Sequence, residues 1–210
     1  MFLTIEGIDN LGKTTICKRL VQNLSREYTI RLVSVPPSIE PWSSLRQVIL
    51  GRRDITSPAR AFALLAARID SYNRVIKPAL RKGQLVLGDR FIDSWFAYQT
   101  TSLANHLGGW QRTMELLESI NQSCVEAGLV EMPDRTYLLL GNPNVTVKRG
   151  RNKKRSVYDE IKIQRSVQRN YVRVATRSAR RVELIDARKC TIAELVQIIE
   201  GKIRRLVRVA

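Results

Sequence analysis

The chain has 210 residues, 44% hydrophobic and 26% charged, with a net charge of +17 and three cysteines. That is long enough for one domain with a full core, and the composition excludes a disordered or fibrous chain. No apolar run approaches the roughly 18 residues of a membrane span, and Met1–Ile5 lacks a basic start or a cleavage site, so a cytoplasmic location is expected.

The first predicted element is a strand over Phe2–Glu6. Directly after it, Gly7-Ile8-Asp9-Asn10-Leu11-Gly12-Lys13-Thr14 fits G-x-x-x-x-G-K-[ST], and Thr15–Leu24 continues as a helix. Glycines let backbone N–H groups curl round a phosphate at a helix N-terminus whose dipole favours negative charge. The run from Gly7 to Thr15 is therefore expected to cradle ATP, with Lys13 on the β- and γ-phosphates and Thr14 on Mg²⁺. A carboxylate at Asp9 is unfavourable beside phosphates unless it faces something else, and a sugar hydroxyl suits it.

Four more β-rich runs follow, over Thr29–Ser34, Gln84–Gly88, Arg135–Leu140 and Arg181–Asp186, with helical patterns between them. Such alternation predicts a parallel sheet covered by helices on both faces. Ser57-Pro58 is expected to cap and open a long helix, Pro78 to kink or split it and Gly83 to end it. Gly150–Ser156 is the only candidate flexible piece. Thr191 and Glu194 form a capping box ahead of a last helix with Leu195, Ile198, Ile199, Ile203 and Leu206 on its apolar face. No repeat or linker divides the chain, so residues 1–210 are expected to form one domain.

Between Val147 and Arg181 the chain carries thirteen Lys and Arg against Asp159 and Glu160. Arg165, Arg169, Arg173, Arg177 and Arg181 recur every fourth residue, opposite Ile163, Val167, Tyr171 and Val174. A solvated face and a weak nucleic-acid or polyanion site over 147–181 are both readings of that row. Cys17, Cys124 and Cys190 form no C-x-x-C pair and are expected to be free, mostly buried thiols. His106, the only histidine, lies in a polar, glycine-flanked stretch and is expected to be an ordinary loop residue.

The residues now on the page resemble the thymidylate kinase family along essentially the whole chain. Phe2–Thr15 resembles that family's opening, including Asp9. The run LAARIDSYNRVIKPALRKGQLVLGDR from Leu65 to Arg90, then Asp93-Ser94, Ala97-Tyr98-Gln99, Pro133-Asp134 and Ile185-Asp186-Ala187, continue the match in order. The resemblance implies a three-layer α/β/α P-loop kinase fold with a five-stranded parallel sheet and a short lid over about 149–157. It implies ATP-dependent phosphorylation of dTMP to dTDP with Mg²⁺, in a homodimer. It also implies roles: Asp9 on the deoxyribose 3′-hydroxyl, Arg68 and Gln99 at the base, Tyr98 near the sugar, Arg90 on the acceptor phosphate, and Asp89 organising Mg²⁺ and the acceptor.

Three features differ from the family pattern. Val35-Pro36-Pro37-Ser38 carries no charge where an arginine motif commonly follows the second strand. Leu64 stands where an aromatic residue stacks on thymine. Asn10 stands where one branch has a catalytic arginine, leaving Arg149, Arg151 and Arg155 in the lid, of which Arg155 is nearest the expected place. The alternatives are a broader deoxynucleoside monophosphate or deoxynucleoside kinase, and a nucleic-acid-associated P-loop protein with a relict kinase site.

Overall fold

The computed structural model describes residues 1–37, 39–150 and 156–209. Its five strands are β1 (Phe2–Gly7), β2 (Ile30–Ser34), β3 (Leu85–Asp89), β4 (Arg135–Leu140) and β5 (Val182–Asp186). Each lies within a residue of the expected position. They form one sheet in the order β2-β3-β1-β4-β5, every neighbouring pair parallel. The helices are α1 (Lys13–Leu24), α2 (Trp42–Gly51), α3 (Ser57–Ser71), α4 (Lys77–Arg81), α5 (Ile92–Leu103), α6 (Trp110–Glu126), α7 (Pro143–Arg149), α8 (Ile161–Arg177) and α9 (Ile192–Val209). Among the described residues no helix is long and apolar enough to cross a membrane.

A parallel sheet must be covered on both faces. Leu3, Ile5 and Leu87 pack with Ile16 and Leu20 of α1 and Ile199 and Ile203 of α9. Phe2 and Val86 pack with Leu65 of α3, Trp95 and Phe96 of α5, and Met114 and Leu117 of α6. The period-two alternation of β1 thus sends Leu3 and Ile5 one way and Phe2, Thr4 and Glu6 the other. Thr4 and Glu6 are buried polar residues on that second face, and they form the floor of the site described below.

Local signals hold with small shifts. Helix α3 starts at Ser57, so the cap is Thr56, whose hydroxyl accepts from the Ala59 amide at 3.5 Å. Thr and Ser can both cap, and the chain uses the earlier one. Pro78 lacks the N–H that would cap the Arg74 carbonyl. The helix accommodates this in a π-helical turn over Tyr72–Ile76, where the Lys77 amide reaches Tyr72. Gly83, with φ +69°, follows the end of α4 as expected. The capping box closes: Glu194 accepts from the Thr191 amide at 2.7 Å, and its own amide donates to the Thr191 hydroxyl at 3.2 Å. Ile198, expected on the inner face of α9, is exposed, and Val196 is buried instead.

Candidate active site

The phosphate loop leaves β1 at Gly7 and enters α1 at Lys13. Gly7 has φ +138°, and a Cβ there would stand 2.6 Å from the Leu139 carbonyl oxygen. Gly12, the α1 N-cap residue, has φ +84°. A Cβ on Gly12 would meet Ile192 Cδ1 at 2.4 Å. Conformation requires glycine at both positions, and at Gly7 the fixed backbone leaves no room for a side chain either. Lys13 Nζ donates to the loop's own Ile8 carbonyl at 2.6 Å. Burial, helped by Arg90, pushes its ammonium down to about 8, against the pull of Asp9, Asp89 and Glu6. Thr14 Oγ1 donates to Asp89 Oδ2, which joins the loop to the end of β3.

A cavity of about 800 Å³ runs from this loop along the C-terminal ends of β1 and β3 to α3 and α5. Ligands of open α/β sheets bind at that edge. Its middle is set by an ion pair: Arg90 Nη2 donates to Asp9 Oδ1 at 2.5 Å. Arg90 has φ +73°, a strained conformation for arginine, and its other contacts hold it there. Its Nη1 donates to Gly7 O at 2.9 Å and to the hydroxyls of Ser94 and Tyr171, both at 3.0 Å. Burial works to raise the Asp9 carboxyl, but Arg90 and Lys13 outweigh it and leave it below its ordinary value.

Behind the pair lies Glu6, fully buried in β1. It accepts from the amides of Phe91 and Ser94 and from the hydroxyls of Ser94 and Tyr171. Desolvation, with Asp93 close by, raises its carboxyl against the pull of Arg90.

The far end of the cavity holds an unbalanced polar set. Arg68 is 1% exposed. One guanidinium nitrogen donates to Asn121 Oδ1 at 2.9 Å, and the group lies over Trp95 and Phe91. Burial lowers Arg68 to about 10. Among the described residues its Nε and Nη2 have no partner, nor does Gln99 Oε1. The Tyr158 hydroxyl approaches Ser102 and Gln99 without closing a hydrogen bond. Each unmet buried donor or acceptor costs about 1–3 kcal/mol, so this end is built for a polar ligand.

The sequence comparisons name the family. The family profile described as thymidylate kinase matches residues 5–199. A probable thymidylate kinase of Methanoculleus marisnigri is 35% identical over 209 residues, covering 97% of this chain and 94% of the relative. A thymidylate kinase of Bacillus pumilus is 31% identical over 197 residues, covering 90% and 88%. The chain belongs to the thymidylate kinase family. A crystal structure of thymidylate kinase from Ehrlichia chaffeensis, 21% identical, superposes with a TM-score of 0.73 over 99% of this chain and 98% of that one, and supports the fold.

Measured against the family expectation, Asp9, Asn10, Gly12, Lys13, Thr14 and Thr15 line the cavity, and so do Leu64, Arg68, Asp89, Arg90, Tyr98 and Gln99. Gly7, Ile8 and Leu11 do not: Ile8 and Leu11 are core residues, and Leu11 fills the space over Gly7 and Gly141. Tyr98 is buried edge-on against Tyr158 and takes a 3.3 Å hydrogen bond from Arg90. Arg151 and Arg155 lie outside the described residues, and so does Ser38. Arg149 ends α7. Of the three thiols Cys17 and Cys124 are buried, and Cys190 is half-buried. His106 is exposed in a turn.

Four of the five arginines of the row have partners within this thymidylate kinase homologue, and Arg165, Arg169 and Arg177 are exposed. Arg165 donates to Asn144, and Arg173 lies 4.0 Å over the Trp110 ring. Arg177 donates through Nε and Nη2 to the two carboxylate oxygens of Glu118. Arg181 falls beyond α8 and forms a buried pair with Asp93. The row is therefore not one continuous solvated stripe. Sequence reasoning also missed four residues of the site. Arg46 lines the cavity from α2, and among the described residues it has no hydrogen bond or ion pair. Gln164, Asn121 and Glu6 are buried against Asp9, Arg68 and Arg90 respectively.

Proposed function

We propose that the chain transfers the γ-phosphoryl group of ATP to dTMP. An acceptor phosphate oxygen forms the new P–O bond, the bond to the β–γ bridging oxygen breaks, and dTDP and ADP leave. The observation that carries this reading is the pairing of unmet donors on Arg68 with an unmet acceptor on Gln99, at the end of a cavity that begins at a phosphate loop. Thymine offers a carbonyl acceptor at O4 beside an N–H donor at N3, and cytosine offers an amino donor in place of that carbonyl.

Lys13 would exchange the Ile8 carbonyl for ATP phosphates. Arg90 and Arg46 would hold the acceptor phosphate, Arg46 from the side left uncharged by Val35–Pro37. Arg155 is our proposed lid arginine, facing charge on the transferring group in place of Asn10. The Thr14 hydroxyl and the Asp89 carboxylate, already in contact, form an oxygen donor pair that fits Mg²⁺, which takes one or two carboxylates plus substrate phosphates. Bound there, Mg²⁺ neutralises phosphate charge. Leu64 favours a broader pyrimidine range as the second reading, because it cannot stack on a base as an aromatic ring does.

We also propose a cytoplasmic homodimer, supported by the exposed apolar side chains of Leu45 and Val48 on α2 and Phe62 on α3, which is 57% exposed. Light scattering that finds only the 24.0 kDa monomer would overturn the dimer. The activity test is ADP release with ATP, Mg²⁺ and each nucleoside monophosphate in turn. Turnover with dTMP above all others is expected, and none with any deoxynucleotide defeats the reading.

A further inference from the structure

Helix α8 follows the lid segment and packs against α5, with Asn170 bonding to α5 itself and two further polar side chains of its buried face turned to the site. Gln164 is 1% exposed, as is Tyr171. They are seven residues apart, two turns of helix, so they share one face about 10 Å apart along the axis. Each grips one half of the Asp9–Arg90 pair. Gln164 Oε1 accepts from the Asp9 amide at 3.1 Å, and its Nε2 donates to Asp9 Oδ2 at 2.8 Å and to the Tyr158 carbonyl at 2.9 Å. Tyr171 accepts from Arg90 Nη1 at 3.0 Å and donates to Glu6 Oε2 at 2.9 Å.

The consequence is a fixed division of labour at Asp9. One carboxylate oxygen faces Arg90 and the other faces Gln164, while the same Gln164 holds the backbone of residue 9. The loop cannot rotate Asp9 without breaking three contacts at once. On the other half, the Tyr171 hydroxyl sits between a buried carboxylate and the Arg90 guanidinium, so it fixes where a strained arginine points.

We propose that Gln164 and Tyr171 are positioning residues for the acceptor side of the reaction, orienting Asp9 and Arg90 toward the nucleoside monophosphate from helix α8. The proposal rests on the functional reading above. It adds that acceptor binding depends on the helix behind the lid, through side chains that touch neither substrate.

Steady-state kinetics on Gln164→Met and Tyr171→Phe, with ATP and dTMP varied separately, test it. Both substitutions keep size and remove the polar contact. Gln164→Met should raise KM for dTMP about tenfold with KM for ATP within about twofold, and Tyr171→Phe should lower kcat/KM for dTMP about tenfold. A merely structural role would move both nucleotides together. In an Asp9→Ala background, Gln164→Met should change KM for dTMP by only about threefold, because the carboxylate partner is gone and only the contacts to the residue 9 amide and the Tyr158 carbonyl remain to be lost. Equal losses for both nucleotides, or additive effects with Asp9→Ala, overturn the proposal. If Gln164→Met does not fold, the Tyr171→Phe result decides alone. A wild-type protein that neither binds dTMP by calorimetry nor phosphorylates it overturns the functional reading and this proposal with it. An active wild type with unselective variants overturns the proposal alone.

Discussion

The two ends of the cavity are built differently. The phosphate end is mostly local: Gly7 to Gly12 form one continuous loop into α1, and Lys13 bonds a carbonyl five residues away, with Thr14 to Asp89 as the long contact. The acceptor end is assembled from distant elements. Asp9 meets Arg90 across 81 residues and Gln164 across 155, and Arg68 meets Asn121 across 53. At rest, the phosphate end has its side chains bonded within the protein, while the base end keeps orphaned donors and an orphaned acceptor. A backbone cradle needs glycine in the right places, whereas a base-reading surface needs a packed fold to hold charge out of water.

The comparison can be broken most sharply at Lys13. Lys13→Ala should lower kcat by about 10³-fold with the fold retained, because it removes charge aimed at the phosphates and no core contact. A variant keeping a tenth of the wild-type rate would show that the loop works without its lysine. Arg68→Met should cut kcat/KM for dTMP by about 100-fold, because the base edge loses its donors. The unfolding temperature of the ligand-free protein should hold or rise, because two unmet buried donors and a buried charge disappear, against one acceptor, Asn121 Oδ1, left without its donor. A steep loss of stability would mean that Arg68 serves the core. Arg46→Ala should raise KM for dTMP about thirtyfold, the loss of one charge-assisted contact. An unchanged KM would return the acceptor phosphate to Arg90 alone. Leu64→Phe should lower KM for dTMP about fivefold, the low end of base–aromatic stacking. An unaltered KM would remove Leu64 from the base site.

The smallest effect concerns protons at the phosphate end. Lys13 is lowered to about 8 in the folded chain, against an ordinary 10.5. Between those values the unfolded chain binds more protons, so this group's contribution to stability rises with pH across that window. ATP phosphates favour the charged form. At pH 8, ATP binding should therefore take up about half a proton, and Lys13→Arg should take up none, since arginine stays charged. Calorimetry in two buffers of different ionisation heat reads this directly. Equal uptake by both proteins would place the proton elsewhere.

How much of this was legible in the sequence follows the same division. The phosphate loop and all five strands were readable, because each is a local pattern. Arg68, Asp89, Arg90, Tyr98 and Gln99 came through family resemblance, and the structure brings them together at one cavity. Helix α2, and with it Arg46, was not foreseen. Asn121 and Gln164 were missed because their partners lie far along the chain, yet each left a mark. Asn121 interrupts the buried stripe Met114, Leu117, Cys124 on α6, and Gln164 the stripe Val167, Tyr171, Val174 on α8. A polar residue at a core position of an amphipathic helix must find a partner, and at both positions the partner belongs to the site. Glu6, the one charged residue of β1, left the same kind of mark.

The long reach of these contacts has a consequence for synthesis on the ribosome. Glu6 is bonded to Tyr171, 165 residues later. At about 5–20 residues per second, on the order of 10–30 s separate the making of that carboxylate from the making of its last partner. During that interval the sheet's central strand carries a charge with no settled burial, and β1 cannot close against α5 and α8 as it does in the finished protein. The nascent chain would thus emerge with its phosphate loop already translated but its floor still open. Nucleotide binding by partial chains should begin only once α8 has cleared the exit tunnel.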